Sequence, residues 1–120
     1  MSDRSGIGIR GEDLAAGYLR QKGFTIRERN WHSGRTEIDI IAENSEYIIF
    51  VEVKSRSAGF CVPPAEAVSV PKQRTIIFAA ANYIDTHQPD KETRFDIITV
   101  IFTGSENEIE HIENAYYPTL

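Results

Sequence analysis

Two short apolar runs, residues 36–42 (TEIDIIA) and 47–55 (YIIFVEVKS), flank a polar Glu-Asn-Ser-Glu segment and place Glu37, Asp39, Glu52 and Lys54 at strand positions. Ile, Val, Phe and Tyr in extended structure mark the buried centre of a sheet, where Asp, Glu and Lys are almost never fully buried without a partner. A two- or four-residue hairpin loop at 43–46 pairs the strands antiparallel with Ala42 facing Tyr47, Asp39 facing Phe50 and Glu37 facing Glu52. Side chains alternate faces, so Glu37, Asp39, Glu52 and Lys54 are expected on one patch, with Asp39 diagonal to Glu52 at roughly 7–8 Å between Cβ atoms. An odd loop would throw residues 37 and 39 to the other face.

A chain of 120 residues, 41% apolar and 26% charged, without repeats or low-complexity stretches, fits one globular domain over 1–120. Its longest apolar runs, YIIFV and IIFAAA, fall far short of the ~20 residues that span a bilayer. The polar start MSDRSGIGIRGED does not read as a signal peptide, so the expected location is cytoplasmic and no membrane partner is expected. Cys61 is the single cysteine, which excludes an internal disulfide, and His32, His87 and His111 are not at ligand spacing, so zinc is not expected. The net charge of −5 argues against coating nucleic acid by bulk electrostatics. That sum hides an asymmetry, because residues 1–74 hold 11 Lys/Arg against 10 Asp/Glu whereas residues 75–120 hold 2 against 8. Arg27, Arg29, Arg35, Lys54, Arg56, Lys72 and Arg74 can therefore form a local phosphate-facing surface, or be ordinary solvated cations.

Residues 11–22 carry Leu14, Ala15, Tyr18 and Leu19 at helical spacing, with acids in the first turn and Gly23 as the stop. Residues 24–31 alternate as a partly exposed strand, and the two charged strands follow. Residues 56–64 (RSAGFCVPP) read as a loop. A helix is expected over 71–85, opened by Pro71 and closed by His87, Gln88 and Pro89, with Ile76, Ile77, Ala80, Ala81 and Ile84 as its apolar stripe. Residues 93–102 suit a strand buried on both faces, and an acidic turn at 104–108 leads to an edge strand over 109–117. The order helix, three strands, helix, strand predicts an α/β fold with a mixed central sheet flanked by helices, in which the second helix is a crossover that makes the fourth strand parallel to the third.

Asp39 and Glu52 suit Mg²⁺ or Mn²⁺ as hard oxygen ligands, with the Val53 carbonyl as a third; magnesium is usually held by one or two carboxylates and keeps several waters. Lys54 is placed to orient or deprotonate a water, or to stabilise charge developing on a phosphate. The alternative is a cross-strand salt bridge on a solvated face, though two acids opposed at 37 and 52 would repel there. Glu12 can point at the sheet from the rim of the first helix, or simply favour the helix N-terminus, as can Asp13. Lys72 and Gln73 can reach a phosphate or an attacking water, or lie solvated. Asp96 is most simply explained by an ion pair with Arg94, and Trp31 and Tyr18 either stack on bases or fill the core.

The segments GIRGEDLAAGYLRQKGF, RNWHSGRTEIDIIA, FVEVKSR, AVSVPKQR, RFDIITV and HIENAY, in this order, resemble the YraN-like family of small bacterial proteins over nearly the whole chain. That family is similar to the PD-(D/E)XK nuclease superfamily, near the Holliday-junction resolvases, and the resemblance implies a restriction-endonuclease-like core. It also implies a metal-dependent endonuclease acting on DNA, with branched or structured DNA in repair or recombination as substrate. By the same resemblance Asp39 and Glu52 match the two acidic ligands, Lys54 the catalytic lysine, Glu12 the helix-borne acid of the resolvase-like branch, and Lys72 and Gln73 a helix-borne motif that assists the site. Glu37 belongs to the motif without an assigned role, and Thr36 stands where the family often has glycine. The other reading is a non-catalytic nucleic-acid-binding or adaptor module that keeps the fold. Two cuts across a junction would suit a homodimer, with the 71–85 helix or the last strand at its interface.

Overall fold

The computed structural model describes residues 6–57 and 68–118. They form α1 (Gly6–Gln21), β1 (Thr25–Ser33), β2 (Thr36–Glu43), β3 (Tyr47–Ser57), α2 (Val70–His87), β4 (Glu92–Thr103) and β5 (Glu106–Ile112). The five strands make one mixed sheet in the order β1-β2-β3-β4-β5, antiparallel except for the β3–β4 pair. The expected α/β order and the parallel crossover through α2 are both present, in an arrangement compatible with a restriction-endonuclease-like core.

Each helix covers one face. Ala15, Ala16 and Leu19 of α1 pack on Ile40, Ala42, Ile49, Val51, Ile98 and Val100. On the other face Ile76, Ala79, Ala80 and Tyr83 of α2 pack on Ile41, Ile48, Phe50, Phe95 and Ile97. Gly11 lies where α1 crosses β3: a Cβ there would stand 3.1 Å from Ser55 Cβ, so the helix reaches the strand only because that position has no side chain. Among the described residues no helix is long and apolar enough to cross a membrane.

Several boundaries differ from expectation. α1 begins at Gly6, so its first turn holds no acid and Glu12 and Asp13 sit in the second turn, away from the N-terminal amides. The β2–β3 pairing leaves an even four residues, 44–47, outside its ladder, although Tyr47 already belongs to β3, and the turn is shaped by Asn44 Oδ1, which accepts from the Glu46 and Tyr47 N–H groups at 2.9 and 2.8 Å. The register moves by two residues, so Ala42 faces Ile49 and Ile41 faces Phe50, which keeps the expected alternation along 40–43. It does not continue past Ile40, because Ile38 lies in the α2-side core and Ile40 in the α1-side core, so Glu37 is not kept on the face of Asp39 by alternation. β3 runs on through Arg56 and Ser57, where a loop was expected, paired to Ile101 and Phe102; residues 58–64 of that expected loop, with Cys61, lie outside the described residues.

The buried stripe of α2 includes Ala79 and Tyr83, while Ala81 is exposed. The Tyr83 ring fits edge-on against Trp31 and Phe50, and its hydroxyl reaches Glu28 at 3.3 Å, so one side chain satisfies both an apolar core and a polar rim. β5 starts inside the acidic segment, because a turn at Gly104 (φ 62) suffices, and it ends at Ile112 before Asn114 (φ 55).

Candidate functional site

Past the Ile40↔Val51 pair the β2–β3 ladder gives way to side-chain bonding. Asp39 and Glu52 are the next residues on the two strands after that last pair. The Val53 N–H donates to Asp39 Oδ2 at 2.8 Å. The N–H and C=O of one strand residue point to the same side, so the Val53 carbonyl also looks into the gap between the two strands.

Asp39 and Glu52 are buried, 1% and 3% exposed, which removes the reading of a solvated cross-strand salt bridge. Lys72 Nζ at 3.5 Å and Lys54 Nζ at 3.9 Å both approach Glu52 Oε1. Glu52 Oε2 is buried and has no hydrogen-bond partner among the described residues. Burial pushes the Glu52 carboxyl above the usual carboxylate range even though Lys72 and Lys54 pull it down. Such a carboxylate is short of positive charge.

Glu12 projects from the buried face of α1 and accepts from Asn30 Nδ2 at 2.8 Å, with Arg29 Nη2 at 3.9 Å. Arg29 is closer to Asp13, at 2.9 Å. Lys72 joins the site, whereas the Gln73 side-chain amide donates to the Val68 carbonyl at 3.0 Å and so anchors the approach to α2. Glu37 pairs with His32 of β1, Oε1 to Nε2 at 3.0 Å, and lines a cleft of about 260 Å³ together with Arg35, Thr36, Lys72 and Thr75. Lys72 therefore stands between that cleft and Glu52.

Two residues at the site were not singled out by sequence. Asn30 holds Glu12 and has φ 51, a left-handed backbone inside a strand. Tyr116 is buried against Phe95, its hydroxyl has no hydrogen-bond partner among the described residues, and burial together with the nearby Glu52 charge raises its pKa. Strand alternation has no signal for either, since Asn30 is an unusual backbone and Tyr116 follows the last strand. Asp96 is structural as expected: it is fully buried, takes two bonds from Arg94 at 3.0 and 2.9 Å, and is bonded by His111 Nε2 and the Asn114 N–H. Tyr18 bonds His111 and Trp31 packs on Tyr83, which makes both part of the core packing.

Whether these residues fit a metal ion is decided by their donors. Glu52 presents a buried oxygen without a partner among the described residues, and Asp39, Glu52 and the Val53 carbonyl offer only hard oxygen atoms. Among the described residues no three His, Cys, Asp or Glu side chains are gathered into a ready cage. A small set of oxygen donors led by two carboxylates is what suits magnesium or manganese, and the residues fit.

A family model described as uncharacterised protein family UPF0102 matches residues 11–100. The chain is 43% identical over 118 residues to a UPF0102 protein of Porphyromonas gingivalis, covering 97% of this chain and 87% of that one. It is 42% identical over 120 residues to one of Bacteroides thetaiotaomicron, covering 100% and 99%. With a UPF0102 protein of Geobacter metallireducens it shares 43% over 111 residues, covering 92% and 91%.

Proposed function

The chain belongs to the UPF0102, or YraN, family, and on that premise we propose that it is a magnesium- or manganese-dependent endonuclease that hydrolyses phosphodiester bonds of DNA, with branched or structured DNA as substrate. The observation that carries this reading is the buried Glu52 carboxylate, adjoining Asp39, flanked by Lys54 and Lys72 and holding one oxygen without a partner among the described residues. A buried acid kept in that state weakens a protein unless a cation completes it, and such groups cluster at functional sites.

Asp39, Glu52 and the Val53 carbonyl would hold the ion, and Glu12 would supply the helix-borne acid. A bound Mg²⁺ or Mn²⁺ would supply Lewis acidity there, lowering the pKa of a coordinated water and offsetting negative charge on a phosphate. Lys54 lies along the strand from Glu52, where its ammonium orients the attacking water and stabilises the developing negative charge. Lys72 joins Glu52 to the cleft at Arg35 and Thr75, where a phosphate of the substrate strand docks. The whole chain, 1–120, acts as one nuclease-like domain.

A second reading, a non-catalytic nucleic-acid-binding or adaptor module, is favoured by the net charge of −5 and by Arg27 and Arg29 being held by Glu43 and Asp13. Calorimetric titration with Mn²⁺ separates the two. The nuclease reading expects binding to wild type and at least a tenfold loss in Asp39→Ala. No binding to wild type, or equal binding to both, supports the adaptor.

A further inference from the structure

We propose that Asn30 is a positioning residue: its left-handed backbone turns the β1–β2 ribbon over at the site, and its side-chain amide holds Glu12 in place beside Asp39. This deepens the nuclease reading and rests on it for the role of Glu12.

In a regular strand, residues two apart share a face. Here Arg29 reaches Asp13 and Glu12 on the α1 side, while Trp31 packs against Tyr83 of α2. Their partners on β2 do the same, Ile40 lying in the α1-side core and Ile38 in the α2-side core. Both strands therefore change faces within one step. The register is identical before and after, Arg29↔Ile40 and Trp31↔Ile38, so the step of the reversal is Asn30 on β1 and Asp39 on β2. Asn30, at φ 51, is the residue of this step whose backbone lies in the left-handed region.

That conformation is unfavourable for any residue with a Cβ, and glycine would adopt it at lower cost. What asparagine adds is a donor, and Nδ2 meets Glu12 Oε1 at 2.8 Å. Local backbone strain held by the surrounding structure is a feature of functional sites. The same residue thus sets where Asp39 lies in the ribbon and how the Glu12 carboxylate from α1 is rotated toward it.

The experiment compares wild type, Asn30→Gly, Asn30→Asp and Asn30→Ala by thermal unfolding, by the Glu12 side-chain carboxyl ¹³C resonance without metal, and by Mn²⁺ affinity. Asn30→Gly keeps the backbone and deletes the amide. It is expected to unfold within a few degrees of wild type, with a displaced Glu12 resonance and a Mn²⁺ Kd raised roughly ten- to a hundredfold. Asn30→Asp tolerates the same backbone without a donor at neutral pH, and is expected to displace the Glu12 resonance as well. Asn30→Ala should lose stability in addition. An Asn30→Gly or Asn30→Asp protein whose Glu12 resonance matches wild type overturns the proposal, and so does an unchanged Mn²⁺ Kd in both variants of a wild type that binds the ion. If wild type binds no Mn²⁺, the nuclease reading fails and the Glu12 resonance alone decides the role of Asn30.

Discussion

Glu52 carries opposing demands in one side chain. Removing its carboxylate from water is unfavourable, and the two lysines do not offset that fully, since its pKa stays above the usual carboxylate range. A raised acid binds more protons folded than unfolded, so the ionised form lowers stability as pH rises through the window above the ordinary glutamate value. At neutral pH without divalent cations, Glu52→Gln is therefore expected to gain about 1 kcal/mol in urea unfolding while losing Mn²⁺ binding. A loss of stability instead would mean that pairing with Lys54 and Lys72 outweighs desolvation. The four charged hairpin residues were legible because apolar strands made them conspicuous. Their partners were not: Glu37 turned out to be held by His32 across β1, and Glu52 by Lys72 from α2, contacts between elements that no hairpin pattern contains.

Among the elements, type and order could be read from periodicity, and the errors trace to single side chains acting on the backbone. The Asn44 side chain starts the hairpin turn one residue late and moves the register by two; the even shift kept the alternation along 40–43, and the reversal at Asn30 and Asp39 ended it there. Tyr83 belongs to the buried stripe of α2 because its hydroxyl finds Glu28, something an apolar count overlooks. Asn30 reverses the ribbon, and alternation is blind to such a step. The β4–β5 pair is pinned to α1 by the Arg94, Asp96, His111 and Tyr18 chain of bonds. Burial works against the Asp96 charge, but His111, Arg94 and the Asn114 N–H outweigh it and hold its carboxyl below the ordinary range. A lowered acid contributes stability that is fully present above its unfolded value, about 3.9, and is lost as pH falls through the folded one. Asp96→Asn is expected to be about 3 kcal/mol less stable at neutral pH and to show a flatter loss of stability below pH about 4 than wild type, by urea unfolding at several pH values. Parallel acid limbs would place the acid sensitivity elsewhere.

Across the whole molecule, the mixed sheet brings charged residues from separate segments to one end of the hairpin: Asp39 from β2, Glu52 and Lys54 from β3 and Lys72 from α2. Glu12 from α1 is bonded to Asn30 of β1, the strand next to β2. The two helices lie on opposite faces, so the hairpin is the element both can reach. The hairpin pattern was enough to expect Asp39, Glu52 and Lys54 together, and the family resemblance to expect Glu12 and Lys72 with them, while the exposed acids of β5 and the net charge of −5 give the rest of the surface no general attraction for nucleic acid. On the nuclease proposal, recognition then comes from the site itself and the cleft at Arg35 and Lys72. The most direct measurement is cleavage of junction, flap, single-stranded and duplex DNA by the purified chain with Mn²⁺ or Mg²⁺, beside Glu52→Ala and Lys54→Ala. The expected result is metal-dependent cutting of at least one substrate by wild type, reduced by about 10²-fold or more in both variants. Cutting that persists in both variants, or no cutting of any substrate by wild type with either metal, would contradict it.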